Sequence, residues 1–353
     1  MKTRLNVLSL LFVLFAFSAC TSSFVLPQAT GWAYEVLVVM DLNVKQGEAG
    51  EALLAELDSD IPGLPQPEAA LKVNTVTPDV FDGMLRYTKN IFIVNIDPKS
   101  YTKVSLKHDI NQWAQNQVVL TMNAPDQASV VNYLKERKGV LVDYFTKAEM
   151  SRVLNTLEKT YSNIVMEKVK SKFDISLRVP AEMTYYKDTT DFFWTSNNAK
   201  TGRIDFVVYS FPYVDPETFT VNYLVSKRDS VLRENLPGSF PNSYLATEVR
   251  FGVDYTPISH LGKYGGVMRG LWKTVGDMMG GPFVSLTRVD EKNNRIIVVE
   301  TFVFAPEMEK RNLIRRGEAC IYSLRMSDEV GIPVSESLSS KSKEELNSQS
   351  DGE

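Results

Sequence analysis

Two cysteines and two histidines in 353 residues leave little for thiol or metal chemistry. A Cys/His zinc site needs four ligands at short spacings, and Cys20 and Cys320 stand near opposite ends of the chain. No metal ligand set and no cofactor are assigned. No H-E-x-x-H, G-x-S-x-G, Walker loop or dinucleotide fingerprint occurs, so no catalytic residue is assigned either. Basic excess is missing as well: 39 Lys and Arg face 43 Asp and Glu, a formal charge of −4. A nucleic-acid partner needs a basic patch to neutralise phosphates and is not expected. The longest apolar run, Leu5 to Phe17, is shorter than the ~20 residues that cross a bilayer as a helix.

That short run has another use. Lys2 and Arg4 precede it, Ser18 and Ala19 follow, and then come Cys20 and a polar Thr-Ser-Ser. A positive n-region, a short apolar core and small residues before a cleavage point make a secretory signal. The arrangement resembles a bacterial lipoprotein signal, with Phe17 where Leu usually stands three residues before the cysteine. The resemblance implies a lipid on Cys20 and a membrane partner through it. The other reading is an ordinary signal peptide with an incidental cysteine. With Cys20 lipidated, Cys320 has no disulfide partner and reads as a small buried apolar residue in a helix.

Residues 1–19 are thus expected to be the signal and 20–33 a tether, followed by units at 34–170 and 171–326 and a tail at 327–353. The tail holds seven acids and two lysines, many serines and no aromatic, which predicts disorder and leaves the rest of the chain close to neutral. In the first unit EVLVVMD (35–41), 70–77, NIFIVNID (90–97), 101–107 and QVVLTMN (117–123) read as strands, with helices at 48–58 and around 130–138. A long periodic stretch, 146–170, reads as one helix bridging the halves. In the second unit strands are expected at 174–180, 191–196, 203–211, 245–253, 266–275, 283–289 and 295–304. Helices follow Asp215-Pro216 and Pro306. Runs of strands with helices between them predict an α+β fold of two tandem or pseudo-repeated units, each an antiparallel sheet with helices packed on it. In strand order the second unit resembles a Mog1/PsbP-type sandwich, which implies a fold and no activity.

Several segments together resemble a family of uncharacterised lipoproteins of Bacteroidetes. They are LPQATG (26–31) with EVLVVMD, GLPQPE (63–68), KNIFIV (89–94), WAQNQ (113–117), RGLW (269–272) and MGGPFV (279–284). The resemblance implies a cell-envelope lipoprotein and brings no activity. No acid stands between Thr21 and Gly31, and surface-directed lipoproteins of these bacteria resemble one another in an acidic run there. The resemblance therefore implies an outer-membrane anchor with the domain facing the periplasm.

Ser100-Tyr-Thr-Lys103, Ser196-Asn-Asn198 and Lys200-Thr201-Gly202 match the three motifs of penicillin-binding enzymes. Their context is wrong, because Ser100 and Lys103 fall in a strand-like alternation and NNAKTG reads as a hairpin turn. A base–orienter pair of His108 with Asp109, or of His260 with Asp254, has no nucleophile assigned to it. PQPE (65–68) is either a docking motif or a rigid connection packed on its own domain.

The densest stretch is MRGLWKTVGDMMGGPFVSL (268–286). Val267, Arg269, Leu271 and Lys273 alternate with Met268, Gly270 and Trp272 at strand period, and glycines mark a turn. It predicts a hairpin. Arg269, Trp272, Met278, Met279, Gly280, Gly281, Pro282 and Phe283 form the candidate surface for a partner or ligand, because Trp and Arg dominate binding hot spots and Met adapts to partners. The alternative is that the glycines serve the turn and Trp272 fills the core. Three functions follow: a lipid-anchored interaction module with an envelope protein partner, a binder of a small molecule or lipid held between the halves, and, weakest, an envelope hydrolase. Phe192, Phe193, Trp194 and Tyr209 are the expected lining for a cleft in the second case.

Overall fold

The structure, a computed structural model, describes residues 25–338. Cys20, the signal and residues 339–353 lie outside the described residues.

The first unit is built on a five-stranded sheet. Strands β1 (Glu35–Val39), β2 (Lys72–Val76), β3 (Asn90–Ile96), β4 (Ser105–Ile110) and β5 (Val118–Ala124) lie in the order β2-β1-β3-β5-β4. Pairs β1/β2, β1/β3 and β3/β5 are parallel and only β4/β5 is antiparallel, so this sheet is mixed, not antiparallel as expected. The reason lies in the β-branched runs EVLVV and NIFIVNI, which alternate between two covered faces, as central parallel strands do. Helices α1 (Leu42–Lys45), α2 (Glu48–Leu57), α3 (Gln127–Glu136) and α4 (Val140–Leu157) cover one face. Val36, Val38, Phe92 and Leu120 pack there against Leu53, Leu134, Leu141 and Phe145. The opposite face carries only a small cluster of Val39, Ile91 and Val119 under Phe81 and Trp113.

The second unit is an eight-stranded sheet in which every pair is antiparallel. Its strands are β7 (Tyr185–Thr189), β8 (Phe192–Ser196), β9 (Arg203–Pro212), β10 (Tyr244–Thr247), β11 (Asp254–His260), β12 (Lys263–Val275), β13 (Gly280–Asp290) and β14 (Arg295–Phe304). The order is β10-β12-β13-β14-β9-β8-β7, with β11 also on the outer side of β12. Period-2 alternation divides its side chains between two cores. Val208, Val267, Val284, Leu286 and Val299 face helices α5 (Asn163–Phe173) and α7 (Arg311–Ile321). Met268, Trp272, Phe283, Ile296 and Phe302 face helix α6 (Val221–Asn235). The whole is α+β in two units, tandem but with different sheet topologies.

Several boundaries differ from the expectations, four of them in ways that bear on the units. The long stretch 146–170 is two helices, broken at 158–162, where Ser162 donates its N–H to Val179 O (2.9 Å) and its hydroxyl to Met183 O (2.8 Å). Helix α5 belongs to the second unit, since Val165, Val169 and Phe173 are in its core, so the units part near residue 160 and not at 170. The expected tether is paired from residue 28 on, through bridges Gln28↔Gln115 and Thr30↔Thr88. The expected disordered tail is folded as far as Leu338. A short pairing of β6 (Ile175–Ser176) with β15 (Arg325–Met326) leads into it. Arg325 then donates to the carbonyls of Ile332 (3.1 Å) and Pro333 (2.6 Å) and to Ser337 Oγ (2.8 Å), while Val334 enters the core.

Candidate functional site

The hairpin read from the sequence is there: β12 pairs with β13 in the register Gly270↔Phe283, Trp272↔Gly281 and Lys273↔Gly280. Its notable side chains serve the sheet. Trp272 is 1% exposed, donates its indole N–H to Val303 O (3.1 Å) and packs edge-on to Phe302. Phe283 is buried beneath the Arg228 guanidinium, 3.8 Å from the ring centroid. Gly281 is fixed by crowding, since a Cβ there would meet Val303 O at 2.1 Å. Pro282 is buried and Met279 half-buried; only Met278, fully exposed, and Gly280 face solvent. The hot-spot reading of Trp272 and Phe283 is therefore corrected: both fill the core. The aromatic cleft falls in the same way. Phe192, Phe193 and Tyr209 are buried in the two cores of the second unit, and Trp194 packs against one of them with its indole on Asp205 (3.0 Å).

Arg269 has a different fate because strand alternation sends it to the other face of β12. There it meets helix α7 and forms an ion pair with Glu318. Burial works to lower the Arg269 pKa and the Glu318 carboxylate more than offsets it, so the guanidinium stays charged.

The units meet at this place. Glu68, the last residue of PQPE, accepts the backbone N–H groups of Lys310 (2.8 and 2.9 Å) and Arg311 (2.8 Å) at the start of α7. A carboxylate on the orphan N–H groups of a helix start is a cap, favoured by the helix dipole. This cap sets the helix start at 311, later than Pro306 suggested. PQPE thus serves as a connection within the chain, packed through Glu68 on the second unit. Upstream, Gly63 takes φ +79°, where glycine is at ease, and lays the loop beside Arg269 and the backbone of Gly270.

Between this loop, α4, α7 and strands β11–β13 lies a cavity of about 500 Å³, lined by both units. Arg315 lies along it, 8% exposed. One end of its guanidinium, Nη1, donates to Thr146 Oγ1 of α4, and Cζ lies 5.3 Å from the Tyr34 ring centroid. Its Nε is buried with no hydrogen-bond partner, and so is the Tyr34 hydroxyl. The ion pairs of the described residues include a carboxylate for Arg269 and none for Arg315. Burial pulls the Arg315 pKa down; Tyr34 and the Glu318 charge oppose it, the guanidiniums of Arg269 and Arg311 add to it, and the net shift is downward. Tyr34 itself stands at φ +61°, a left-handed conformation costly for a bulky side chain, held with its N–H on Glu149 Oε1 (3.3 Å). Backbone strain at Tyr34 and two of the unsatisfied buried polar atoms thus meet at this seam, and strain of this kind clusters at functional sites.

The other candidates dissolve on inspection. Ser100 lies in a turn before β4, not in a strand, and donates to Asp97 Oδ2 (2.5 Å). His108 is exposed on edge strand β4. Buried His260 has both nitrogens engaged: Nε2 faces Tyr322 O (3.0 Å), which only accepts, so Nε2 carries the proton and Nδ1 accepts from Arg288 (3.0 Å). Among the described residues no group of three His, Cys, Asp or Glu is placed to hold a metal ion, and no helix is long and apolar enough to cross a membrane.

The sequence matches two families. Residues 29–158 match a domain of unknown function, DUF8532, and residues 162–323 match another, DUF4837. The gap between the matches falls where α4 gives way to α5. No curated protein matches the chain.

Proposed function

We propose that this chain, two domains of unknown function joined by a helix break, is a non-enzymatic binding protein of the cell envelope whose small ligand sits between its units. One observation carries the reading: a buried arginine with no carboxylate partner lines a cavity to which both units contribute. The size suits a small metabolite. A guanidinium removed from water needs acceptors to offset its desolvation; in this same chain Arg228 has them in Glu300 and Arg325 in backbone carbonyls and Ser337, whereas Arg315 has Thr146 alone among the described residues. The sequence of the first twenty residues supports a lipid at Cys20 and an outer-membrane anchor. Native mass spectrometry of the protein taken gently from membranes should show a small-molecule adduct that Arg315→Met loses. A bare protein mass in the parent counts against the reading.

A second reading, docking of an envelope protein at the hairpin tip, is favoured by Met278, whose side chain is wholly exposed beside Gly280. A photocrosslinker at position 278 should then capture one protein reproducibly in intact cells; labelling without a captured neighbour removes this reading.

A further inference from the structure

Arg228 shows how this protein satisfies a buried guanidinium. Its Nε and Nη2 grip the two oxygens of Glu300 at 2.8 and 2.7 Å, the side-on bidentate geometry that carboxylates fit best. Arg315 is bound at the opposite end, through Nη1 to Thr146, so its Nε/Nη2 edge is the one left over. Nε is buried without a partner, and the hydrogen bonds of the described residues include none from Nη2, only that of Nη1 to Thr146. Nη1 on Thr146 and the Tyr34 ring alongside hold the plane of the group, while Nε is closed off from water, so a carboxylate reaches this edge only as the lining shifts slightly.

Of the other charged residues of the lining, Arg269 is already paired with Glu318. Asp60, Asp143 and Asp254 also line the cavity, all exposed, and none has a cation within ion-pair distance among the described residues. Asp60 comes from the first-unit loop, Asp143 from α4 and Asp254 from β11 of the second unit. Solvated carboxylates mean little alone. Here they share one cavity with an unpaired buried guanidinium that they do not reach, so the lining is polarised, with a cation at its buried part and anions at its open part.

We propose that the ligand is a zwitterion of about dipeptide size, its carboxylate gripped side-on by the Nε/Nη2 edge of Arg315 and its ammonium group facing Asp143 and Asp254. This rests on the reading that a small ligand occupies the inter-unit cavity. A simple dicarboxylate or phosphate ester would meet Arg315 equally well and be repelled by the three aspartates; a zwitterion meets both. The volume, about 500 Å³, leaves room for two small side chains beyond the charged ends.

The test is isothermal titration of the intact protein with L-Ala-L-Ala, its N-acetyl derivative and its C-terminal amide, together with a panel of free amino acids. Binding of at least one zwitterion is expected, with a loss of roughly a hundredfold for Arg315→Met and nearly as much for Arg315→Lys, which keeps the charge and loses the fork. Asp143→Asn with Asp254→Asn should weaken the zwitterion about tenfold and leave any residual binding of the N-acetyl peptide unchanged. Thermal melts accompany each variant, and Arg315→Lys stands in if Arg315→Met does not fold. N-acetyl peptide binding as tightly as the free peptide, or no zwitterion binding at all, overturns this inference. If a mass-spectrometric adduct dependent on Arg315 persists in that case, the inter-unit ligand stands and only its class is wrong. If neither is found, both fall.

Discussion

Acid should loosen the second unit through His260. The imidazole is 1% exposed, with Arg288 on Nδ1, the Tyr322 carbonyl on Nε2, and the Arg325 and Glu329 charges close by. Burial, aided by the Arg288 guanidinium, lowers its pKa from 6.5 to about 4. A histidine whose folded pKa is depressed adds stability that is full above its unfolded pKa and is lost as pH falls through the folded one. Between pH 6.5 and pH 4 the unfolded chain therefore binds a proton that the folded chain refuses. At 1.36 kcal/mol per pH unit the difference amounts to about 3 kcal/mol. Arg288 is itself held by Glu329 in a bidentate pair (2.8 and 2.7 Å), and although burial works to raise the Glu329 pKa, the hydrogen bonds and charge of Arg288 keep it below the usual carboxylate value. Urea unfolding followed by Trp fluorescence at pH 7.5, 6, 5 and 4 measures the effect. His260→Gln retains a donor and an acceptor and cannot titrate. The stability difference between parent and variant should shrink by about 3 kcal/mol from pH 7.5 to pH 4. Curves that run parallel across that window would refute the reasoning.

Three further outcomes follow from the packing. Glu68→Ala removes the cap on α7 and should lower stability by about 1–2 kcal/mol in calorimetry, with loosened exchange protection at 310–315, whereas Gln66→Ala should cost little. Trp272→Ala should cost about 3–5 kcal/mol in chemical denaturation, and Met278→Ala no more than about 0.5, which separates the core from the tip of one hairpin. Cys320, fully buried, with burial pushing its thiol pKa up to about 12, should resist Ellman's reagent in the native protein and react at once in denaturant.

How much of this was legible in the sequence depends on which forces set each feature. Strands β1, β3, β5, β9 and β14 are β-branched runs whose burial drives their form, and they were read where they lie. Their partners were not: nothing in EVLVV states that it pairs parallel to NIFIVNI. Strand β11 was missed because Pro257 breaks the pattern. The structure tolerates it since β11 has β12 on one side only and its outer edge needs no N–H there. The hairpin was found and its role misread, because tryptophan and glycine are demanded both by binding surfaces and by crowded sheets. Only the Val303 carbonyl, thirty-one residues away from Trp272, decides between them. The seam left a trace in RNLIRRGEA (311–319), where Arg311 and Arg315 stand one turn apart and Glu318 is the sole acid. Which carboxylate each arginine meets is a tertiary fact, and the lack of one for Arg315 emerges only when α7 is laid against the first unit.

The most direct test of an inter-unit ligand is a crystal structure of the protein grown with the tightest-binding zwitterion of the titration panel. The account predicts a carboxylate on the Nε/Nη2 edge of Arg315, with the Arg269–Glu318 pair unchanged. An Arg315 edge facing solvent alone, or turned to pair with Glu318, would contradict it.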